Sequence, residues 1–149
     1  MKVKLICDKD KRERIENMLI KGGFEISDQG EYQFIEKGFA ISSLVGLDED
    51  KSQCIVELTD VLYIDSLGRD IILHTIDGVL KINDTLENLE RQLPQTDFLR
   101  ISKSTIIRRF AIKKISPSFQ MRFKLIMKNG DAVYVTRSYY YDFINFMDL

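Results

Sequence analysis

The sequence predicts a mainly β chain, α+β overall: an antiparallel β-rich domain with one or two short helices, preceded by a small βα unit. Three observations carry this reading. Apolar residues alternate with period two through much of residues 53–137, as in Val79–Ile82 and Met121–Met127. Turn chemistry punctuates those runs, above all Asp77-Gly78 and Asn129-Gly130, and such pairs between β-rich segments mark hairpins. Helical periodicity is confined to residues 8–21, 84–93 and an aromatic tail at 139–146.

In chain order, Val3, Leu5 and Cys7 alternate with Lys2, Lys4 and Ile6 as a first strand over 2–7. Residues 8–21 follow as a helix, with Ile15, Met18 and Leu19 at helical spacing, Asp8 placed to cap it and Gly22-Gly23 to end it. Phe24–Ile26, Tyr32–Ile35 and Phe39–Leu44 are short strand candidates. About 45 residues are too few to hold a core alone. Residues 46–52, Gly-Leu-Asp-Glu-Asp-Lys-Ser, read as a linker, which divides the chain into a unit at 1–47 and a domain at 53–149. Strands are expected at Cys54–Leu58, Val61–Ile64, Ile71–Thr75 and Val79–Ile82. A helix starts at Asp84, with Glu87 three residues on, presents Leu86, Leu89 and Leu93, and stops at Pro94. Strands around Leu99–Ile101 and Ile112–Ile115 precede the Met121–Met127/Ala132–Val135 hairpin, and the tail Tyr139–Phe146 closes as a helix.

Composition removes several classes. No apolar run approaches the roughly 20 residues of a bilayer span, and the N-terminus lacks a secretory leader pattern. Cys7, Cys54 and the single His74 form no metal-ligand spacing, so neither a metal nor a cofactor is expected, and the compartment that fits is the cytoplasm. His74 sits in an alternating strand without a nucleophile motif, and no phosphate-binding loop appears, so no enzyme is expected. Asp8 and Asp10 after a first strand resemble the start of a phosphoacceptor receiver. The stretch before residue 46 is too short for that fold, and the helix cap explains Asp8 more simply.

The formal charge of −1 hides an asymmetry. Residues 1–98 carry 12 basic and 20 acidic side chains, a net of −8; residues 99–137 carry ten basic side chains against Asp131 alone, a net of +9. Such a segment points to a polyanionic partner. Within it, residues 98–109 alternate apolar with basic and hydroxyl side chains. On a strand and its exit loop this offers Arg100, Ser102, Lys103 and Ser104 to phosphate oxygens or guanine edges.

Four ordered motifs resemble those of the LytTR-type DNA-binding domains of bacterial response regulators. Val61-Leu62-Tyr63-Ile64-Asp65-Ser66 is similar to the family's I-x-Y-I-E-S, and Asp84-Thr85-Leu86-Glu87-Asn88-Leu89-Glu90 to its T-L-x-x-L-E. Phe98-Leu99-Arg100-Ile101-Ser102-Lys103-Ser104-Thr105-Ile106-Ile107 resembles F-x-R-I-H-R/K-S-x-I-V. The stretch from Asn129-Gly130 to Val135-Thr136-Arg137-Ser138-Tyr139 resembles N-G-x-x-x-x-V-S-R-R-Y. The resemblance covers residues 53–146 and implies an elongated β domain that reads two successive major grooves of duplex DNA with loops, as a homodimer on a direct repeat. It implies base contacts from Arg69, Lys103 and Arg137 with Ser138, and phosphate contacts from Ser102, Ser104 and Tyr139. Two departures stand out: Ser102 replaces the family's His, and Ser138 its second Arg. With no full receiver ahead of it, the domain is expected to take an input other than phosphorylation. The competing expectation is a protein-interaction or dimerisation module whose basic face is incidental.

Overall fold

The computed structural model describes residues 1–36 and 41–149. Contacts divide the chain into two units, Met1–Ala40 and Ile41–Leu149. In the first, β1 (Lys2–Ile6) is followed by α1 (Lys9–Lys21), β2 (Glu25–Ile26) and β3 (Tyr32–Ile35). The sheet order is β2-β1-β3 with both pairings parallel. The β1 alternation buries Val3, Leu5 and Cys7. Asp8 caps α1 by accepting the Asp10 N–H at 3.0 Å, and Gly23, at φ +90°, lets the chain leave the helix. Glu36, just past β3, accepts the Asp8 N–H at 3.0 Å and pairs with Lys11; these two donors hold its carboxyl below the usual range.

The second unit runs β4 (Ser43–Leu47), β5 (Gln53–Glu57), β6 (Val61–Leu67), β7 (Asp70–Thr75), β8 (Gly78–Ile82), α2 (Leu86–Gln92), β9 (Phe98–Ser102), β10 (Thr105–Arg108), β11 (Ile112–Ser118), β12 (Arg122–Met127), β13 (Ala132–Val135) and α3 (Tyr140–Met147). Seven strands form one sheet in the order β5-β4-β8-β7-β6-β10-β9, and three form another, β11-β12-β13. All pairings in this unit are antiparallel.

Three expectations need correction. Residues 46–52 are not a linker: Gly46 and Leu47 belong to β4 and pair with Cys54 and Gln53. The polar run forms a hairpin turn, in which the Asp48 carboxylate accepts the N–H groups of Asp50 and Ser52, both at 2.9 Å. Gly46 is required because a Cβ there would stand 2.7 Å from the Leu80 Cβ. The contacts therefore group residues 41–47 with the second unit. Of the Phe39–Leu44 strand candidate, Phe39 and Ala40 lie outside the described residues, and the strand itself begins at Ser43. The α2 cap is Thr85, whose hydroxyl accepts the Asn88 N–H at 3.1 Å, while Asp84 accepts the N–H of Thr85.

Two apolar clusters fill this unit. In one, Val61, Ile64, Leu73 and Ile106 pack under Leu86, Leu89 and Leu93 of the α2 segment. In the other, Leu62, Tyr63, Ile101 and Ile107 meet Phe123, Leu125, Met127 and Val135 of the three-stranded sheet, closed by Phe143 of α3. β6, β9 and β10 contribute to both, so the middle of the large sheet is buried on both faces. Phe143 is 0% exposed, with its ring centroid 5.2 Å from that of Phe123. Phe143→Ala should lower unfolding free energy by about 3–5 kcal/mol through lost burial plus a residual cavity, read as an earlier urea midpoint at unchanged m-value.

Candidate nucleic-acid interface

The antiparallel register gathers three turns at one end of the large sheet. β6 ends at Leu67 and turns through Gly68 (φ +64°) and Arg69, which is exposed. β9 and β10 are joined by a two-residue turn, Lys103-Ser104, so the exit loop read from the sequence is a hairpin with its own second strand. Asp65 pairs with Thr105, and the Ser66 N–H donates to the Ser104 carbonyl at 2.9 Å, which seats the first turn beside the second. The Thr136 N–H donates to the Ile101 carbonyl at 3.0 Å and brings the 3₁₀ turn Arg137–Tyr139 to the end of β9. Arg69, Lys103, Arg137 and Ser138 are all exposed in these turns.

The other candidates are placed differently. Ser102 is only 7% exposed and its hydroxyl accepts the Ser104 N–H at 3.2 Å, while the two hydroxyls stand 3.3 Å apart. This local bond competes with continued strand and bends the chain into the turn. The Arg100 side chain is 13% exposed and fully engaged: its guanidinium donates to the carbonyls of Ser102 (3.1 Å) and Lys103 and to Glu90 (3.1 Å), with Glu87 at 3.6 Å. It ties the turn to α2. Tyr139 is half-buried against the second cluster. No ion pair joins Arg137 to Asp142 among the described residues.

Arg108 and Arg109 are likewise structural. Arg108 donates to the Val61 carbonyl, and burial lowers its pKa against the opposing pull of Asp97 and Asp60. Arg109 donates to the Phe146 carbonyl with its guanidinium carbon 4.3 Å from the Phe146 ring centroid, and so anchors α3. Sequence reasoning passed over a further group. Lys124 pairs with Ser116 and Tyr134, Arg122 with Ser118, and Lys114 with Ile126, so these basic side chains share the outward face of the three-stranded sheet. The signal was present: Arg122 and Lys124 alternate with buried Phe123, Leu125 and Met127.

A polar clasp fixes the sheet behind the turns. Tyr63 and His74 stack with centroids 3.9 Å apart at 9°, and His74 Nε2 lies 2.8 Å from Asp65. The Tyr63 hydroxyl donates to Asp131 at 2.7 Å, and Asn129 bonds the same carboxylate at 2.8 Å. These bonds lower the Asp131 pKa; burial, then the Asp131 bond, raise that of Tyr63. The lone histidine is a packing residue that links β7 to β6.

A family model described as the LytTr DNA-binding domain matches residues 51–148. The sensory transduction protein LytT of Bacillus subtilis is 33% identical over 95 residues, which is 64% of this chain and 39% of that protein. LytT of Enterococcus faecalis is 28% identical over 131 residues, 88% of this chain and 54% of its own length. An uncharacterized HTH-type transcriptional regulator of Staphylococcus aureus is 30% identical over 90 residues, 60% of each chain. Among solved structures, the LytTr DNA-binding domain of a Bacillus cereus response regulator superposes with a TM-score of 0.70 at 25% identity, over 73% of this chain and 99% of that one. The chain spans about two fifths of the length of the B. subtilis LytT it matches.

Tyr63→Phe should cost about 1 kcal/mol by removing one hydrogen bond to a carboxylate, and should also change the acid response. Because the folded-state pKa of Asp131 is depressed, its contribution is complete above the unfolded value and is lost as pH falls through the lower folded one. Urea midpoints followed from about pH 5 down to pH 2 should therefore converge between wild type and variant at the acid end. A constant offset would remove Asp131 from the clasp.

Proposed function

Because the chain belongs to the LytTr DNA-binding domain family, we propose that it is a bacterial transcription regulator that binds specific double-stranded DNA through loop residues and not through a recognition helix. The observation that carries this is the collection of exposed Arg69, Lys103 and Arg137 on three hydrogen-bonded turns at one sheet end, while Arg100, Arg108 and Arg109 are consumed internally. Guanidinium and ammonium groups there can reach guanine O6 and N7 in successive major grooves. Ser138 joins Arg137 on the base side, and Tyr139, next in the chain, serves the phosphate side. Ser102 and Arg100 position the Lys103 turn, and Ser104 offers its hydroxyl to phosphate. Lys114, Arg122 and Lys124 add sequence-independent attraction to the backbone.

Two copies sit on a direct repeat, as a homodimer on DNA, with half-sites about one helical turn apart. Residues ahead of the second unit serve as its regulatory part, and the chain works in the cytoplasm where its DNA lies. No described helix is long and apolar enough to cross a membrane, and no chemistry of catalysis is assigned to it. Selection of bound duplexes from a random pool tests the reading: a recurring direct repeat supports it, and binding without sequence preference overturns it.

Lys103→Ala should weaken specific binding by about 1–3 kcal/mol with the fold unchanged, since Lys103 is exposed and, among the described residues, its side chain makes no hydrogen bond or ion pair. Arg137→Lys keeps the charge but loses the planar fork, so binding-site selection should show preference lost at one base position. Ser138→Arg should tighten binding across sequences and steepen the salt dependence by about one unit of log K per log salt.

A further inference from the structure

The large sheet treats its two edges differently. Past β9, the Ile101 carbonyl accepts the Thr136 N–H, so the residue that follows β13 engages the end of that edge. β11, an edge of the smaller sheet, carries Lys113, Lys114 and Pro117, residues that discourage strand addition. β5, the other edge of the large sheet, reads Gln53-Cys54-Ile55-Val56-Glu57, with neither lysine nor proline. Ile55 is 77% exposed and faces Val45, 51% exposed, across the β4–β5 pair.

The hydrogen-bond phase of this hairpin shows which backbone groups are left over. Asp48 donates to Ser52 and Leu58 to Ser42, so the pairs 48:52 and 42:58 are hydrogen-bonded, and with them 46:54 and 44:56. Gln53, Ile55 and Glu57 are therefore the residues whose N–H and C=O groups point away from β4, on an edge with which no strand among the described residues pairs. They are spaced symmetrically about Ile55.

We propose that β5 is a self-association surface, on which a second copy of this chain adds its own β5 antiparallel about a two-fold axis at Ile55. In that register Ile55 meets Ile55 of the other copy, and Gln53 meets Glu57. The pairing exchanges about six main-chain hydrogen bonds and continues the sheet through the dimer. A hydrogen-bonding match of side chains favours a second copy over an arbitrary strand. No like charges stand opposite one another, and each Glu57 carboxylate faces a Gln53 amide that can donate to it. A shallow depression lined by Ser42, Ser43, Ile55, Glu57, Leu58 and Thr59 lies beside Glu57, where this register places the partner's Gln53. β4, β8 and β7 separate this edge from β6, so the turns carrying Arg69, Lys103 and Arg137 stay uncovered. The two-fold turns the two reading ends in opposite senses, whereas a direct repeat asks for the same sense. One such dimer therefore seats one copy per half-site and leaves its second reading end free for another DNA segment.

Sedimentation equilibrium of the full chain, without DNA, tests the surface. The expected result is a reversible monomer–dimer equilibrium populated at about 100 μM, as for weak interfaces of small area. Ile55→Lys, which sets two ammonium groups against each other at the axis, should leave only monomer with an unchanged circular dichroism spectrum. Gln53→Glu puts like charges opposite twice by symmetry and should weaken the dimer about fivefold, whereas Gln53→Lys, opposite Glu57, should strengthen it by a similar factor. A wild type that stays monomeric at that concentration, including one that takes up a foreign extended peptide along β5, overturns the proposal. So does a dimer indifferent to all three substitutions. Duplex binding is measured in parallel, and Ile55→Lys should retain wild-type affinity for a single half-site. Loss of duplex binding by the wild type sinks the DNA reading and leaves the sedimentation result standing.

Discussion

Burial of β6 and β10 on both faces is the constraint on which the rest of the second unit depends. Antiparallel sheets commonly pack on one face and leave the other wet. Here Val61, Ile64 and Ile106 face the α2 side, while Leu62, Tyr63 and Ile107 face the smaller sheet. A slip of one residue would exchange the contents of two cores at once, so register is specified twice over. That certainty reaches the strand ends. The turns after β6 and β9 are placed by the same ladder that pairs Asp65 with Thr105, and the clasp of Tyr63, His74 and Asp131 holds the β12–β13 hairpin in step with them.

The basic segment divides by side-chain type in a way that follows from chemistry. The internal positions are arginines: Arg100, Arg108 and Arg109 each satisfy buried or half-buried carbonyls, which the several fixed N–H groups of one guanidinium can do together. The lysines at 103, 113, 114, 124 and 128 are all exposed, as strongly hydrated point charges should be. Net charge thus overstates the surface available to a polyanion, because part of the +9 is spent holding α2, α3 and the strand ends in place.

Much of this was legible in the sequence where the local signal and the tertiary context agree. The Asn129-Gly130 turn, the Asp8 cap, the Leu86/Leu89/Leu93 face and the aromatic closing helix all stand where period and turn chemistry put them, and the hairpin expected at Asp77-Gly78 forms one residue earlier, with Ile76 and Asp77 in the turn and Gly78 opening β8. Residues 46–52 misled because a polar, acidic run has the composition of a linker, yet Asp48 turns its carboxylate onto the backbone of the run itself. The hairpin at Lys103-Ser104 was hidden because it lacks the usual glycine. Ser102 supplies the bond that a positive φ would otherwise favour, and Arg100 secures it from the side. Nothing local could show that Arg100 points inward, since its partners Glu87 and Glu90 come from a separate helix. The pairing of three exposed turns at one end was equally invisible, being a property of strand order.

That pairing also bears on how small turns could discriminate between DNA sequences. A loop that must order itself on binding loses part of its contact energy to conformational entropy, on the order of 1 kcal/mol or more for each fixed residue. Here the hydrogen bonds that hold the turns come from within the chain itself. The Lys103-Ser104 turn is held by the Ser102 hydroxyl, by the Arg100 guanidinium on two carbonyls and by the Ser66 N–H. The Arg137 turn is held by the Thr136 bond to β9 and by Tyr139 packed below it. The Lys103 and Arg137 side chains make no hydrogen bond or ion pair among the described residues. The freezing of one lysine or arginine side chain is then the main entropic cost per contact, close to what a recognition helix asks of its own surface residues. On the proposed DNA reading, three short turns on a doubly buried sheet would match a helix in rigidity while spacing their donors along the groove by strand order.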